Sequence, residues 1–249
     1  MSTCKSVLAV LLVGLVAAAA ANYCSVCRDH TLCKYTSSAA GSACKNFKSS
    51  ALSAADRTAV LHAHNSLRNK VALGQETRGT KKQPAAANMR KMEWDSELAT
   101  IAQRWANQCN FAHDSCRSTL DGTYSGQNIY WEASSAPLAA PQWAKPVQDW
   151  YDEVDDRDGS LNTVAFKSTS GPVVGHYTQV AWANTNKVGC GYADYTTVQS
   201  GRTWYARLVV CNYKPGGNFI GQKMYEAGTP ASKCPSGTKK DSTYTGLCA

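Results

Sequence analysis

Eleven cysteines are distributed along this chain, and all but one lie beyond residue 21. The exception, Cys4, sits in Met1-Ser2-Thr3-Cys4-Lys5, ahead of an apolar run from Val7 to Val16 and five alanines, Ala17 to Ala21. A short positive start, an apolar stretch of roughly ten residues and an Ala-x-Ala end describe a secretory signal peptide. The run falls short of the about twenty apolar residues that span a bilayer, and no second apolar run follows, so a membrane anchor and a transmembrane segment are disfavoured. Cleavage after Ala21 leaves Cys24, Cys27, Cys33, Cys44, Cys109, Cys116, Cys190, Cys211, Cys234 and Cys248. An even set of cysteines in an exported chain points to disulfides, not to metal thiolates or a catalytic thiol. The expected protein is secreted, extracellular and covalently stapled.

Hydrophobic residues make up 43% of the chain, enough for a real core, so the staples supplement packing and do not replace it. The net charge of +8 is scattered, with Lys81-Lys82 and Arg90-Lys91 the densest basic pairs. No nucleic-acid motif accompanies them, and export argues against such a partner. No Asn-x-Ser/Thr sequon occurs, so N-glycosylation is not expected.

Four stretches follow from the pattern: a signal peptide over 1–21, a cysteine-rich leader without helical or strand period over 22–50, a main domain over 51–225, and a tail over 226–249. Ser53 and Asp56 form a capping pair before Val60, His64, Leu67 and Val71, which share a helix face that Gly74 ends. Asp95 or Ser96 opens a second helix with Leu98, Ile101, Ala102, Trp105 and Cys109 inward. Pro146 suits the first turn of a third, carrying Val147, Trp150, Tyr151 and Val154. Strands are expected over Tyr124–Trp131, Val173–Ala183, Val188–Tyr195 and Thr203–Tyr213, all rich in β-branched and aromatic residues. Gly189 and Gly191, flanking Cys190, suggest close backbone approach or a bulge. Early helices and late strands argue for an α+β fold, an antiparallel sheet covered by helices.

Two segments are long and chemically unusual. Gly175-His176-Tyr177-Thr178-Gln179-Val180-Ala181-Trp182 and Val210-Cys211-Asn212-Tyr213-Lys214-Pro215-Gly216-Gly217-Asn218-Phe219 resemble the two signatures of the CAP superfamily (cysteine-rich secretory proteins, antigen 5 and plant pathogenesis-related 1 proteins). His64-Asn65-x-x-Arg68 and Trp105-Ala106-x-x-Cys109 are similar to the family as well. Asn22-Tyr23-Cys24, Cys33-Lys34-Tyr35, Glu76-Thr77-Arg78-Gly79 and Ala106-Asn107-Gln108-Cys109 resemble insect venom allergen 5 and salivary antigen 5 proteins. Ala181 replaces a bulkier aliphatic residue, and the Cys234–Cys248 tail departs from the venom allergens. The resemblance implies a three-layer α-β-α sandwich. It also implies the pairs Cys24–Cys33, Cys27–Cys116, Cys44–Cys109 and Cys190–Cys211, with Cys234–Cys248 remaining.

The same resemblance implies a cleft at His113, Gln127, Glu153 and His176. His113 and His176 suit a divalent metal, yet two protein ligands are few for zinc, so only weak Zn or Cu binding is expected and no cofactor is required. Gln127 stands where the resemblance implies a carboxylate, and an amide cannot act as general base. With no presented nucleophile and no His-Glu-x-x-His, no catalytic residue is assigned. His62 and His64 are two apart and cannot share a metal on one helix. Asp149, Asp152, Glu153, Asp155, Asp156 and Asp158 crowd ten residues without EF-hand spacing, and read as a solvated helix end. Arg28-Asp29-His30 and Arg157-Asp158-Gly159 are not integrin motifs.

The reading is a secreted, non-enzymatic antigen 5-type protein that binds a small lipid, fatty acid or sterol, or a host protein. Trp150, Tyr151 and Tyr177 are expected to flank an apolar channel. Two alternatives remain: a metal-dependent protease or redox enzyme using His113, His176 and Glu153, and a protein-binding toxin or defence factor. The sequence does not set the oligomeric state.

Overall fold

The computed structural model describes residues 23–167 and 171–249; the expected signal peptide, 1–21, lies outside the described residues. After a leader holding α1 (Thr31–Lys34) and β1 (Lys45–Lys48) come α2 (Ala54–Ala72), β2 (Glu93–Trp94), α3 (Ser96–Ala106), β3 (Gly126–Ser134), α4 (Ala144–Asp152), α5 (Gly175–Val180), β4 (Lys187–Gln199) and β5 (Arg202–Lys214). The strands form one sheet in the order β1-β4-β5-β3, with β2 beside β4 in parallel. β4 and β5 are an antiparallel hairpin turning at Ser200 and Gly201, both at positive φ. Two central residues in that conformation match the twist of the strands they join.

Period-2 alternation along β5 explains the layers. Val209, Cys211 and Tyr213 enter one core with Val60, Trp150 and Tyr177 from α2, α4 and α5. Ala206, Leu208 and Val210 enter the other with Ala102 and Trp105 from α3. Covered on both faces, β5 is buried from Ala206 to Tyr213, and the result is the three-layer α-β-α sandwich.

Local signals account for the helices. Ser53 and Asp56 cap α2 reciprocally, with the Asp56 amide donating to the Ser53 side chain and the Ser53 amide to the Asp56 carboxylate. Gly74 follows at φ +68° and lets the chain turn away. Asp95 caps α3 through the Leu98 amide. Pro146 lies in the first turn of α4, where its missing N–H has no partner to lose.

One expectation is overturned. Residues 173–183 hold α5, not a strand. The Glu153 carboxylate accepts the backbone amides of His176 and Tyr177, capping this short helix from another element. Its buried face is Tyr177, Thr178, Gln179 and Val180. Tertiary contacts override the β propensity of that stretch. The leader also has more order than its irregular pattern suggests, because Cys27–Cys116 and Cys44–Cys109 fasten it to the body and β1 pairs with β4. The five bridges in the structure are Cys24–Cys33, Cys27–Cys116, Cys44–Cys109, Cys190–Cys211 and Cys234–Cys248. The tail lies along residues 86–91: Cys248 donates its amide to the Met89 carbonyl and accepts from the Lys91 amide, and Leu247 and Cys248 are buried.

His64, on the buried face of α2, hydrogen-bonds the Val60 carbonyl through Nδ1 and the Tyr213 hydroxyl through Nε2. Burial holds its pKa down to about 4. The unfolded imidazole titrates near 6.5, so this residue's contribution is full above pH 6.5 and is lost as pH falls towards 4. The expected loss is about 3 kcal/mol from this group. Denaturant unfolding of wild type and His64→Gln at pH 7 and pH 4 measures it; equal pH slopes in the two proteins would refute the assignment.

Candidate functional site

The four cleft positions come from four separate elements. His113 lies in the loop after α3, and that loop is held by the Cys44–Cys109 and Cys27–Cys116 bridges and by the Trp105 indole donating to the Ala112 carbonyl at 2.7 Å. Gln127 is the second residue of β3, opposite Asn212 of β5. Glu153 follows α4, and His176 is the second residue of α5.

The structure gathers them as two pairs. His113 Nδ1 is 2.7 Å from Gln127 Oε1, and His176 Nδ1 is 2.6 Å from Glu153 Oε1. Both pairs attach to one stretch of β3, because Asn128 Nδ2 donates to the His176 carbonyl at 3.1 Å. The Trp150 ring stacks against the His176 ring, with centroids 6.3 Å apart. His113 is exposed and His176 half-buried, whereas Gln127 is buried.

Hydrogen-bond logic fixes the tautomers. Gln127 Nε2 donates to Asp114 Oδ1 and to Asn212 Oδ1, each at 3.1 Å. Its amide oxygen therefore faces His113 and can only accept, so Nδ1 of His113 carries the hydrogen. Glu153 imposes the same tautomer on His176. Each ring keeps Nε2 as its basic nitrogen, the arrangement by which an outer partner orients a metal-binding histidine.

This also explains why an amide serves at position 127. Asp114 is buried, and its carboxylate already accepts from the Arg117 guanidinium and the Thr31 hydroxyl. A glutamate at 127 would set a second carboxylate against it, where like charges cannot both ionise cheaply. Sequence reasoning gave no role to Asp114, Asn128 and Asn212, although the first two adjoin site residues and Asn212 lies within the second signature. Thr31 and Arg117 carried no signal.

Other candidates disperse. Trp150, Tyr151 and Tyr177, expected to flank a channel, are buried core side chains. The Tyr151 hydroxyl donates to Glu76 and the Tyr177 hydroxyl to Gln83. They are large and apolar, which suits a core as well as a channel. The acidic run is neutralised piecewise: Asp149 pairs with Lys145, Asp152 and Asp155 with Arg78, and Asp158 with Lys81. His62 meets Tyr244 of the tail, away from buried His64. Among the described residues no three His, Cys, Asp or Glu side chains gather as a metal-binding group, and no described helix is long and apolar enough to cross a membrane.

Comparison with known proteins agrees with this architecture. The family model of the cysteine-rich secretory protein family (CAP) matches residues 61–213. Venom allergen 5.02 of Vespa crabro is 43% identical over 212 residues, covering 82% of this chain and 98% of that protein. Venom allergen 3 of Solenopsis invicta is 41% identical over 217 residues, covering 83% and 90%. The crystal structure of NaASP2 with Zn2+ superposes at a TM-score of 0.64 with 33% identity, covering 83% of this chain and all of that one. With its two signatures, its sandwich and these matches, the chain belongs to the CAP family and is similar to the insect venom allergens within it.

Proposed function

We propose that this chain is a secreted, non-enzymatic antigen 5-type protein that acts by binding a small amphipathic ligand or host factor, with a cleft that takes a divalent cation weakly. The observation that carries the cation reading is the pair of buttressed histidines, each with Nδ1 engaged, an arrangement that leaves Nε2 of a neutral ring to face a cation. The donor set fits a labile Zn2+ or Cu2+: two imidazole nitrogens, held by Gln127 and Glu153, with water to complete the shell. A NaASP2 structure obtained with Zn2+ supports the reading. When bound, the cation would supply a positive centre for a polar or anionic group of a partner. His113 and His176 would hold it, Glu153 and Gln127 would fix the rings, and Asp114 would orient Gln127. Similarity to venom allergens supports export.

Calorimetric titration with zinc is the test. Wild type should bind about one equivalent weakly, with affinity falling on acidification because a protonated imidazole has no lone pair to give. His113→Ala/His176→Ala should lose that binding, and Glu153→Gln should weaken it about tenfold or more. Unchanged binding in the double variant would refute the site. Peptide turnover by the zinc-loaded wild type that vanishes in Glu153→Gln would replace the binding role with an enzymatic one.

A further inference from the structure

A second concavity lies beside β4, on the side that pairs with β1 and β2 and between the start of α2 and α3, remote in sequence from the cleft residues. Its volume is about 280 Å³, near the lower end of the ~300–1,000 Å³ of small-molecule sites. Leu52, Trp94, Ala99 and Cys190 supply its apolar lining, and Arg57 and Arg104 its charge. Leu52 and Cys190 are buried and so close the inner end, while Arg57 is exposed at the rim.

The charge is one-sided. No acidic side chain lines the cavity. The nearest acids in sequence are occupied: Asp56 accepts from Ser53 and from the Trp143 indole, Glu93 pairs with Lys187, Asp95 caps α3, and Glu97 accepts from the Tyr23 hydroxyl and the Leu120 amide. Arg57 donates Nε to the Leu52 carbonyl at 2.9 Å, and its guanidinium sits 5.7 Å from the centre of the Trp94 ring. Arg104 donates Nη1 to the Tyr35 carbonyl. Among the described residues neither arginine forms an ion pair, so each retains N–H groups for an outside acceptor. Burial alone shifts Arg104, downward, with no carboxylate acting on it. Two unneutralised guanidinium groups beside an apolar pocket match a planar carboxylate on a hydrophobic body.

We propose that this cavity binds a monocarboxylate with a medium-length apolar chain, its head on Arg57 and Arg104 and its chain against Leu52, Trp94, Ala99 and Cys190. The proposal rests on the binding role above and gives the amphipathic ligand a chemical class and a place. Size sets the limit: at about 280 Å³ the cavity lies just below the ~300–1,000 Å³ of small-molecule sites, so it suits a medium chain and not a long one. Trp94 gives the chain an aromatic wall and Arg57 a charge at the rim.

Titration with decanoate, decanol and hexadecanoate tests both head and body. Decanoate should bind saturably at one site, at least tenfold tighter than decanol, and hexadecanoate should gain nothing over it. Arg57→Gln/Arg104→Gln should cut decanoate affinity tenfold or more and leave decanol unchanged. Ala99→Leu, which fills the cavity without removing a charge, should abolish uptake; intact circular dichroism shows that each variant folds. Equal affinity for decanol and decanoate, absent decanoate binding, or uptake that survives both variants overturns the proposal. Survival in the variants leaves the binding role standing with its ligand elsewhere, whereas peptide turnover dependent on Glu153 would sink that role without touching this cavity.

Discussion

Arg68→Met should cost the fold about 4 kcal/mol or more, close to the ceiling for a single substitution. Arg68 is fully buried on α2 and is surrounded by carbonyls, not by carboxylates. It donates to the carbonyls of Arg90, Val180, Trp182, Ala183 and Thr185. Burial pulls its pKa down to about 9, and the guanidinium still carries its charge at neutral pH. Five acceptors from the loop before β2, the end of α5 and the turn into β4 thus converge on one side chain. Methionine fills similar volume but leaves those oxygens without donors, each a desolvated polar group worth ~1–3 kcal/mol when orphaned. Lysine has three donors on one nitrogen and should recover only part of the loss. Guanidinium unfolding with disulfides intact gives the answer; an Arg68→Met protein within about 1 kcal/mol of wild type would mean that the carbonyls find other donors. The melting temperature should fall by roughly 8–16 °C, at 2–4 °C per kcal/mol for a chain of this size.

Much of the fold was legible because its signals are local. The Ser53–Asp56 capping box, the Asp95 cap and the turn at Gly74 each depend on a few adjacent residues. Failure came where a distant group decides. Glu153 caps α5 from another element, and nothing between 173 and 183 announces that carboxylate. The cleft divides the same way. Resemblance placed His113, Gln127, Glu153 and His176, and the geometry then joined them in pairs. The Asp114–Gln127–His113 chain, which makes an amide the fitting side chain at 127, depends on Arg117 and on Thr31 of the leader. Aromatic size was ambiguous: Trp150, Tyr151 and Tyr177 are buried core side chains, a place that large apolar rings suit as well as a channel wall.

Gly191→Ala should destabilise the protein by about 3 kcal/mol, the upper part of the range for overpacking, because nothing around it can yield cheaply. A Cβ on Gly191 would stand 2.4 Å from Gln103 Cα, and one on Gly189 would stand 2.2 Å from the Ala99 nitrogen. These neighbours are backbone atoms of α3, so the helix sits directly on β4 and both glycines mark the close approach read from their spacing. Relief requires moving α3 as a body. That helix supplies Ala99 and Arg104 to the cavity, and its end leads into the loop bearing His113. Loss of stability should therefore come with weaker decanoate binding and weaker zinc binding in the fraction that folds, although neither glycine touches a ligand. Gly171, whose Cβ would meet nothing within 4 Å, is the control, and Gly171→Ala should stay within about 0.5 kcal/mol of wild type. Thermal unfolding of the two variants, with a fall of roughly 6–12 °C expected for Gly191→Ala alone, separates helix displacement from any general effect of adding a methyl group. Equal melting temperatures would mean that α3 rides loosely enough to absorb the methyl, and the rigid floor beneath cleft and cavity would have to be sought elsewhere.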